Sequence, residues 1–276
     1  MGALPVLTAP LLLRSTLVEL AILAGHLLLY PTGIAQEQPL HRAPGRSESG
    51  ATAPGVPALL PTEGRAHPPV LLLHGFIDNR SVFVLLRRSL HRHGWRHVQA
   101  LNYSPLTCDL RKAAELLSRH VDEVCARTGH RRVDIVSHSL GGLIARYYVQ
   151  RLGGDTRVRT LITLGTPHSG TRIAPLMSAH PIVRQMRPDS DVIAELGRPA
   201  PLCRTRFVAF WSEADQVMVP AETARIDHPD LCAENIRVAG VGHLALPVSG
   251  TVAAGIREAL TSAETAQTAG EAISVA

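Results

Sequence analysis

Ser139 has the surroundings of a catalytic nucleophile. It lies in the hexapeptide SHSLGG, which directly follows the apolar run Val133 to Val136. A serine on a tight turn between a strand and a helix has a strained backbone and an exposed hydroxyl, which is the arrangement that nucleophilic attack requires. A serine that only caps the following helix is the alternative interpretation. The position between a buried run and a helical pattern favours the nucleophile.

Small residues flank this serine where the strand and helix backbones must approach each other. Gly141 lies two positions after it, and Ser137 lies two positions before it, where glycine is more usual. Gly142 allows the following helix to pack closely. Gly141 and Gly142 are therefore predicted to have structural roles in the turn.

Two backbone amides are predicted to stabilise the oxyanion that forms when this serine attacks a carbonyl carbon. The amide of Leu140 lies at the start of the following helix, and the amide of Phe76 follows the dipeptide His74-Gly75. Two such preorganised donors contribute on the order of several kcal/mol to transition-state stabilisation. Gly75 has a structural role, since it lets the backbone approach the substrate. His74 is expected to brace this loop rather than act as a base.

The general base is predicted to be His243, one of fourteen histidines in the chain. It follows the last predicted strand, in the sequence GVGH, and precedes a terminal helix. A neutral imidazole at that place accepts the proton of a serine hydroxyl near pH 7. His138 adjoins the nucleophile, but the geometry of the turn is expected to point it away.

Asp215, after the penultimate strand, is predicted to orient this imidazole. A carboxylate there holds the imidazole tautomer and stabilises the imidazolium. Glu213 is the competing carboxylate, but it leaves the strand earlier. The chain order Ser139, Asp215, His243 is that of the α/β hydrolases and differs from the orders in chymotrypsin and subtilisin.

These residues require strands that all end at one edge of a sheet. Apolar runs alternate with helical patterns between about residues 69 and 260. This predicts an α/β-hydrolase fold, with a mostly parallel sheet of about six strands and helices on both faces. Ligands bind beyond the carboxyl ends of such strands, where the serine, acid and base are predicted to meet. The predicted strands are Val70–Leu73, Val98–Leu101, Val133–Val136, Val158–Leu164, Phe207–Trp211 and Ile236–Ala239, and the predicted closing helix is Val248–Leu260.

Several motifs occur together in this region, namely HGF (74–76), SHSLGG (137–142), ARYYVQRLGG (145–154), TLGTPHSGT (163–171), the Asp215 loop and VGH (241–243). Together they resemble bacterial α/β-hydrolase lipases and esterases, and the stretch from ARYYVQRLGG into TLGTPHSGT is most similar to actinobacterial lipase-like proteins. The resemblance implies a triad of Ser139, Asp215 and His243 that hydrolyses carboxylic esters through an acyl-enzyme. It also implies that His168, in the TPH element, is structural.

The substrate is predicted to be a medium-chain or long-chain acyl ester, such as triacylglycerol or another lipid ester. Residues 170–199 form a long insertion with many apolar side chains. This insertion is either a cap packed on the core or a lid that forms a wall of an acyl-binding pocket. The residues predicted to line that pocket are Phe76, Leu176, Met177 and Met218.

The cysteines divide into two pairs. Cys203 and Cys232 each precede a predicted strand, and a disulfide between them is feasible because those strands are expected to be neighbours. Closing that loop would contribute about 3–4 kcal/mol to stability. Cys108 and Cys125 are predicted to be free, because a helix joining them would hold them about 25 Å apart.

The ends of the chain differ from its middle. Residues 1–35 are an apolar leader that is predicted to be a signal peptide or a membrane anchor, and a first helix packed on the domain is the alternative. Residues 36–68 form a linker rich in proline and glycine, and residues 261–276 are expected to be a disordered tail. The protein is therefore expected to be secreted or membrane-associated, with a cytoplasmic location as the alternative.

The composition excludes several classes of protein. The net charge is +5, but only 18% of the residues are charged and 4% are aromatic. The arginines are scattered, so nucleic-acid binding is not expected. No metal ion and no cofactor are predicted, and the expected partners are a hydrophobic ester and a membrane surface. An acyltransferase that uses the same triad and a non-catalytic binding protein are the competing functions.

Overall fold

The description of the fold rests on a computed structural model. It describes the backbone of residues 19–25, 28, 31, 67–76, 78–103, 109–172 and 180–274, and side chains as far as residue 263.

Six parallel strands form one sheet in the order β2-β1-β3-β4-β5-β6. β1 and β4 are buried along their whole length, and β1 is accordingly apolar throughout, whereas β4 includes Arg159, Thr160 and Thr163. The α/β-hydrolase fold class and the strand number predicted from the sequence are confirmed. The strands are β1 (Val70–Leu73), β2 (Val98–Leu101), β3 (Val133–His138), β4 (Val158–Leu164), β5 (Arg206–Trp211) and β6 (Cys232–Arg237).

Helices cover both faces of the sheet. One buried apolar cluster joins α3, α4, α5 and α6 to the sheet, and a second joins α2 and α7 to its other face. α3 begins where the Asp109 carboxylate accepts from the Arg111 amide, and it ends at Gly129, whose φ of 73° suits glycine. The helices are α1 (described over 19–25), α2 (Val84–Arg92), α3 (Leu110–Thr128), α4 (Leu140–Arg151), α5 (Pro181–Gln185), α6 (Asp191–Leu196) and α7 (Gly250–Ser274).

The predicted bounds of β3, β5, β6 and the closing helix differ from the structure, and the differences are largest for the last two. The last strand was expected at Ile236–Ala239, whereas β6 runs over Cys232–Arg237. β6 is an edge strand whose residues are only partly buried, so its apolar signal is weak. The closing helix was expected to end at Leu260, but its backbone continues to Ser274. Residues 261–276 include five alanines and two glutamates, which favour a helix.

The insertion at 170–199 is packed on the core where it is described. α5, its C-cap Met186 and α6 contribute five buried side chains to the cluster that also contains α3 and α4, and these are Ile182, Val183, Met186, Val192 and Leu196. This part of the insertion therefore matches the packed cap rather than the lid. Leu176 and Met177, predicted to line the acyl pocket, lie outside the described residues.

The predicted disulfide between Cys203 and Cys232 is wrong, because both thiols are free. Cys232 pairs with Arg206 in the sheet, which places it three residues, or about 10 Å, further along the strand than Cys203. Cys203 also packs against the core, whereas Cys232 is exposed. Cys125 is free and buried, and burial raises the pKa of its thiol. Cys108 lies outside the described residues.

The predicted leader is described only in part. Residues 19–25 form α1, with residues 28 and 31 beyond it. None of the helices in the described ranges combines the length and the hydropathy that a membrane span requires. The predicted linker at 36–68 lies outside the described residues apart from His67 and Pro68.

Candidate active site

Ser139 lies on a sharp turn between β3 and α4. Its φ is 51° and its ψ is −121°, and it is the one non-glycine residue of the described chain with a positive φ. Such a backbone is strained, and it persists because neighbouring groups hold it. The Ser139 amide donates to the Leu164 carbonyl at 2.9 Å, and the Ser139 carbonyl accepts from the Thr166 hydroxyl at 3.0 Å. The turn is therefore fixed from β4 and the loop after it.

The small residues around this turn are required by contacts. A Cβ on Gly141 would lie 2.6 Å from the carbonyl oxygen of His74, and a Cβ on Gly142 would lie 2.0 Å from Thr166 Oγ1. Ser137, at the position where glycine is more usual, is fully buried and donates to the Ile162 carbonyl at 3.0 Å. Serine is tolerated there because the neighbouring strand satisfies its hydroxyl.

Asp215 and His243 form a buried pair. His243 Nδ1 lies 2.7 Å from Asp215 Oδ2, and the two residues are 5% and 3% exposed. The other carboxylate oxygen accepts from the amides of Val217 at 2.9 Å and Met218 at 3.0 Å, so its orientation is fixed. Glu213, the competing acid, instead contacts Arg237 at the surface. The carboxylate that meets this imidazole is that of Asp215.

Gly165 leaves room for this pair. Its φ is +53°, and a Cβ there would lie 2.8 Å from Asp215 Oδ2 and 3.1 Å from His243 Nδ1. Any side chain at this position would therefore clash with both Asp215 and His243. Gly165 directly follows β4 at the edge of the sheet where Ser139 lies, a position from which its role could have been predicted.

A second histidine and carboxylate lie beside this pair. The His138 ring centroid is 4.6 Å from that of His243, and its Nδ1 is 3.3 Å from Asp78 Oδ2. Burial lowers the pKa of His138 even though the Asp78 carboxylate opposes the shift. The buried His138 ring packs against that of His243, a contact that was not predicted from the sequence. Asp78 was missed because it stands alone in a loop, with no motif around it.

The loop after β1 is braced as predicted. His74 Nδ1 lies 2.8 Å from the Gly75 carbonyl oxygen, and its ring stacks on that of Tyr103 at 4.2 Å. The Tyr103 hydroxyl donates to the carbonyl of His74. Burial lowers the pKa of His74 and raises that of Tyr103. A neutral, buried imidazole is a bracing group, in agreement with the role expected for His74.

The predicted substrate-binding residues are only partly described. Phe76 is half-buried, and its ring meets His180 edge to face at 4.9 Å. Met218 is 2% exposed and packs in a small cluster with Trp211 and Ala224. The side chain of Met218 therefore belongs to the packing under the Asp215 loop.

The contacts of His168 agree with a structural role. Its Nε2 lies 2.9 Å from the Thr163 hydroxyl, and its carbonyl accepts from Arg146 at 3.0 Å. Burial, reinforced by the Arg146 guanidinium, lowers the pKa of His168 well below its usual range. Within the described residues, no group of three or more acidic, histidine or cysteine side chains is arranged to hold a metal ion.

Comparison with known proteins identifies relatives of the central region. Residues 69–197 match the palmitoyl protein thioesterase family. A triacylglycerol lipase of Burkholderia plantarii is 30% identical over 136 residues, which are 46% of this chain and 37% of that protein. A triacylglycerol lipase of Pseudarthrobacter phenanthrenivorans is 32% identical over 114 residues, which are 38% of this chain and 35% of that protein. The matches thus span little more than a third of these relatives.

Solved structures share the fold at low sequence identity. The mature lipase of Bacillus licheniformis superposes with a TM-score of 0.59 at 17% identity, over 71% of this chain and 92% of that one. Lipase B of Aspergillus fumigatus gives a TM-score of 0.59 at 18% identity, over 79% and 59% of the two chains. The chain therefore has the α/β-hydrolase fold of these structures, which was predicted from the sequence.

Proposed function

We propose that the protein is a serine carboxylic ester hydrolase in which Ser139, His243 and Asp215 form the triad. The observation that carries this proposal is the 2.7 Å contact between His243 Nδ1 and Asp215 Oδ2 at the sheet edge where Ser139 has its positive φ. A carboxylate only accepts hydrogen bonds, so the proton of this contact belongs to Nδ1. His243 Nε2 then keeps a lone pair that can act as a base.

The reaction follows from these roles. The Ser139 hydroxyl attacks the ester carbonyl carbon while His243 Nε2 takes its proton, and the imidazolium is stabilised by Asp215. The amides of Leu140 and Phe76 are the proposed donors to the oxyanion. The imidazolium returns its proton to the leaving alcohol, and the acyl group stays on the serine. Water, activated by the same histidine, then releases the acid and restores the hydroxyl.

The proposed substrates are lipid esters with medium or long acyl chains. Relatives that are named triacylglycerol lipases support this class, and the half-buried ring of Phe76 offers an apolar wall beside one proposed oxyanion donor. The match to the palmitoyl protein thioesterase family makes a long-chain acyl thioester a second candidate on the same triad. A location in the cell envelope, at a membrane surface, is proposed from the apolar residues 1–35.

Labelling with a fluorophosphonate tests the proposal directly. The wild-type chain should form a covalent adduct on Ser139, and Ser139→Ala should lose both the adduct and ester turnover while it remains folded. Ser169→Ala, which changes an exposed loop serine, is the matched control and should behave as wild type. A wild-type chain that forms no adduct would support a non-catalytic binding protein instead. Faster acyl transfer to an added alcohol than to water would identify an acyltransferase.

A substrate series tests the acyl preference. p-Nitrophenyl esters from acetate to palmitate, with a palmitoyl thioester alongside, should show the highest kcat/KM at medium or long chains. A maximum at acetate would contradict the lipid part of the proposal. A thioester that is cleaved much faster than the matching ester would favour the thioesterase alternative.

A further inference from the structure

A carboxylate from the N-terminal part of the chain contacts the loop that carries His243. Glu19, at the start of the described part of α1, accepts from the Leu244 amide at 2.9 Å and from the Ala245 amide at 3.1 Å. Each amide donates to a different carboxylate oxygen. More than two hundred residues of sequence separate the partners, so no local pattern reveals this contact.

The Leu244 amide needs an acceptor because it begins a helical turn. Beyond His243 the chain turns tightly, with Leu246 donating to the His243 carbonyl at 3.4 Å and Ala245 donating weakly back to Gly242 at 3.2 Å. The first amides of such a turn lack partners further along it. A carboxylate is a favoured acceptor at that place, where it also meets the positive end of the turn. Glu19 therefore acts as an N-cap that comes from a distant part of the chain.

Gly242 leaves the space in which the Glu19 carboxylate lies. A Cβ at that position would lie 2.3 Å from Glu19 Oε1 and 2.5 Å from its carboxyl carbon. A side chain at 242 would thus push the carboxylate away from the two amides. Glycine is therefore required directly before the predicted base, because the Glu19 carboxylate occupies the space that a side chain would fill.

We propose that Glu19 is a positioning residue for His243 and that the working enzyme retains it. The inference rests on the proposed function, in which His243 is the base. Asp215 fixes the imidazole, and His138 Nε2 reaches the His243 carbonyl at 3.2 Å, while Glu19 fixes the two residues that follow. Without Glu19 the Leu244 amide loses its acceptor and the Ala245 amide keeps only the Gly242 carbonyl, so the loop after His243 loosens and the imidazole samples orientations that do not reach the serine.

Full-chain variants test this role. Glu19→Ala should lower kcat for a p-nitrophenyl ester about tenfold with KM nearly unchanged, because a misplaced base affects the chemical step and not substrate binding. Glu19→Gln keeps an oxygen that can accept from the amides, so it should recover most of the lost kcat. Glu234→Gln, at an exposed ion pair with Arg206, is the matched control and should equal wild type. A kcat of Glu19→Ala equal to wild type would overturn the proposal.

Gly242→Ala tests the same contact from the other side. It should reduce kcat as Glu19→Ala does, and the double variant should lose little more than either single change, because both remove one interaction. Independent losses that multiply would contradict a shared mechanism. This pair also keeps the test decisive if Glu19→Ala folds poorly.

Hydrogen exchange separates this proposal from the proposed function. Peptides covering 243–248 should exchange faster in Glu19→Ala than in wild type, whether or not the chain hydrolyses esters. Wild-type protection in a chain that is inactive and takes no fluorophosphonate would overturn the proposed function but not the contact. An enzyme with full kcat whose measured mass shows that Glu19 has been removed would overturn the positioning role.

Discussion

The Nε2 atom of His138 lies 3.2 Å from the carbonyl oxygen of His243. The residue directly before Ser139 thus contacts the backbone of His243, although the two histidines lie 105 positions apart in sequence. A carbonyl oxygen only accepts, so His138 Nε2 is the donor in this contact. The turn that carries Ser139 and the loop that carries His243 are therefore joined by a hydrogen bond from the His138 side chain, which is not a member of the proposed triad.

His138→Phe should reduce kcat about tenfold while KM changes little, because the ring volume is kept but the donor to the base loop is lost. His138→Gln keeps an amide N–H that can reach the same carbonyl, so its kcat should fall less. Steady-state kinetics with a p-nitrophenyl ester measures both. A Phe variant that is as active as wild type, or a Gln variant that is the more damaged of the two, would show that the hydrogen bond has no role in catalysis.

The sequence predicts the sheet well because its strands are buried. β1, β2 and β4 have the predicted bounds, since each begins with a buried valine and ends with a leucine. β6 is displaced by four residues at its start because its sequence, CAENIR, is mostly polar and at most half-buried. The placement of the serine, acid and histidine after strand ends could be predicted for the same reason, since a parallel sheet collects these positions at one edge.

The contacts that support the triad residues could not be predicted in the same way. Asp78, Glu19 and Tyr103 each reach a backbone group or a ring far away in sequence, so nothing in their own neighbourhood indicates a partner. The disulfide prediction failed on a related point. Strand adjacency was inferred correctly, but the register that offsets Cys203 from Cys232 depends on where β6 begins.

Gly165→Ala should reduce kcat about a hundredfold, because its Cβ would lie 2.8 Å from Asp215 Oδ2 and displace the pair with His243. It should also cost about 1–2 kcal/mol in stability, because alanine is strained at a φ of +53°. Kinetics and denaturant unfolding measure the two effects separately.

Gly153→Ala is the matched control for this change. Its φ is +73°, but nothing lies within 4 Å of the added Cβ, and it is far from the triad in the fold, in the turn before β4. The control should show a similar loss of stability with wild-type kcat. If both variants were equally impaired in kcat at a temperature where both are folded, general strain rather than the clash with Asp215 would explain the loss.

The free energy of unfolding should fall when the pH is lowered from 7.5 to 5.5. Burial lowers the pKa of His74, His138 and His168 below the ordinary value of 6.5. The unfolded chain therefore takes up protons in this range that the folded chain excludes, so stability is full above pH 6.5 and is lost below it. Each excluded proton changes the free energy by about 1.4 kcal/mol per pH unit.

Urea unfolding at several pH values measures how the free energy of unfolding depends on pH. Two variants then identify which histidines cause this dependence. His168→Gln should flatten the slope below pH 6.5, because it removes a buried imidazole while an amide can still meet the Thr163 hydroxyl near the position of Nε2. His97→Gln changes an exposed histidine and should leave the slope as in wild type. A wild-type stability that is constant between pH 7.5 and 5.5 would mean that these buried histidines are protonated as readily in the folded chain as in the unfolded one. The neutral bracing roles assigned to His74 and His168 would then be wrong.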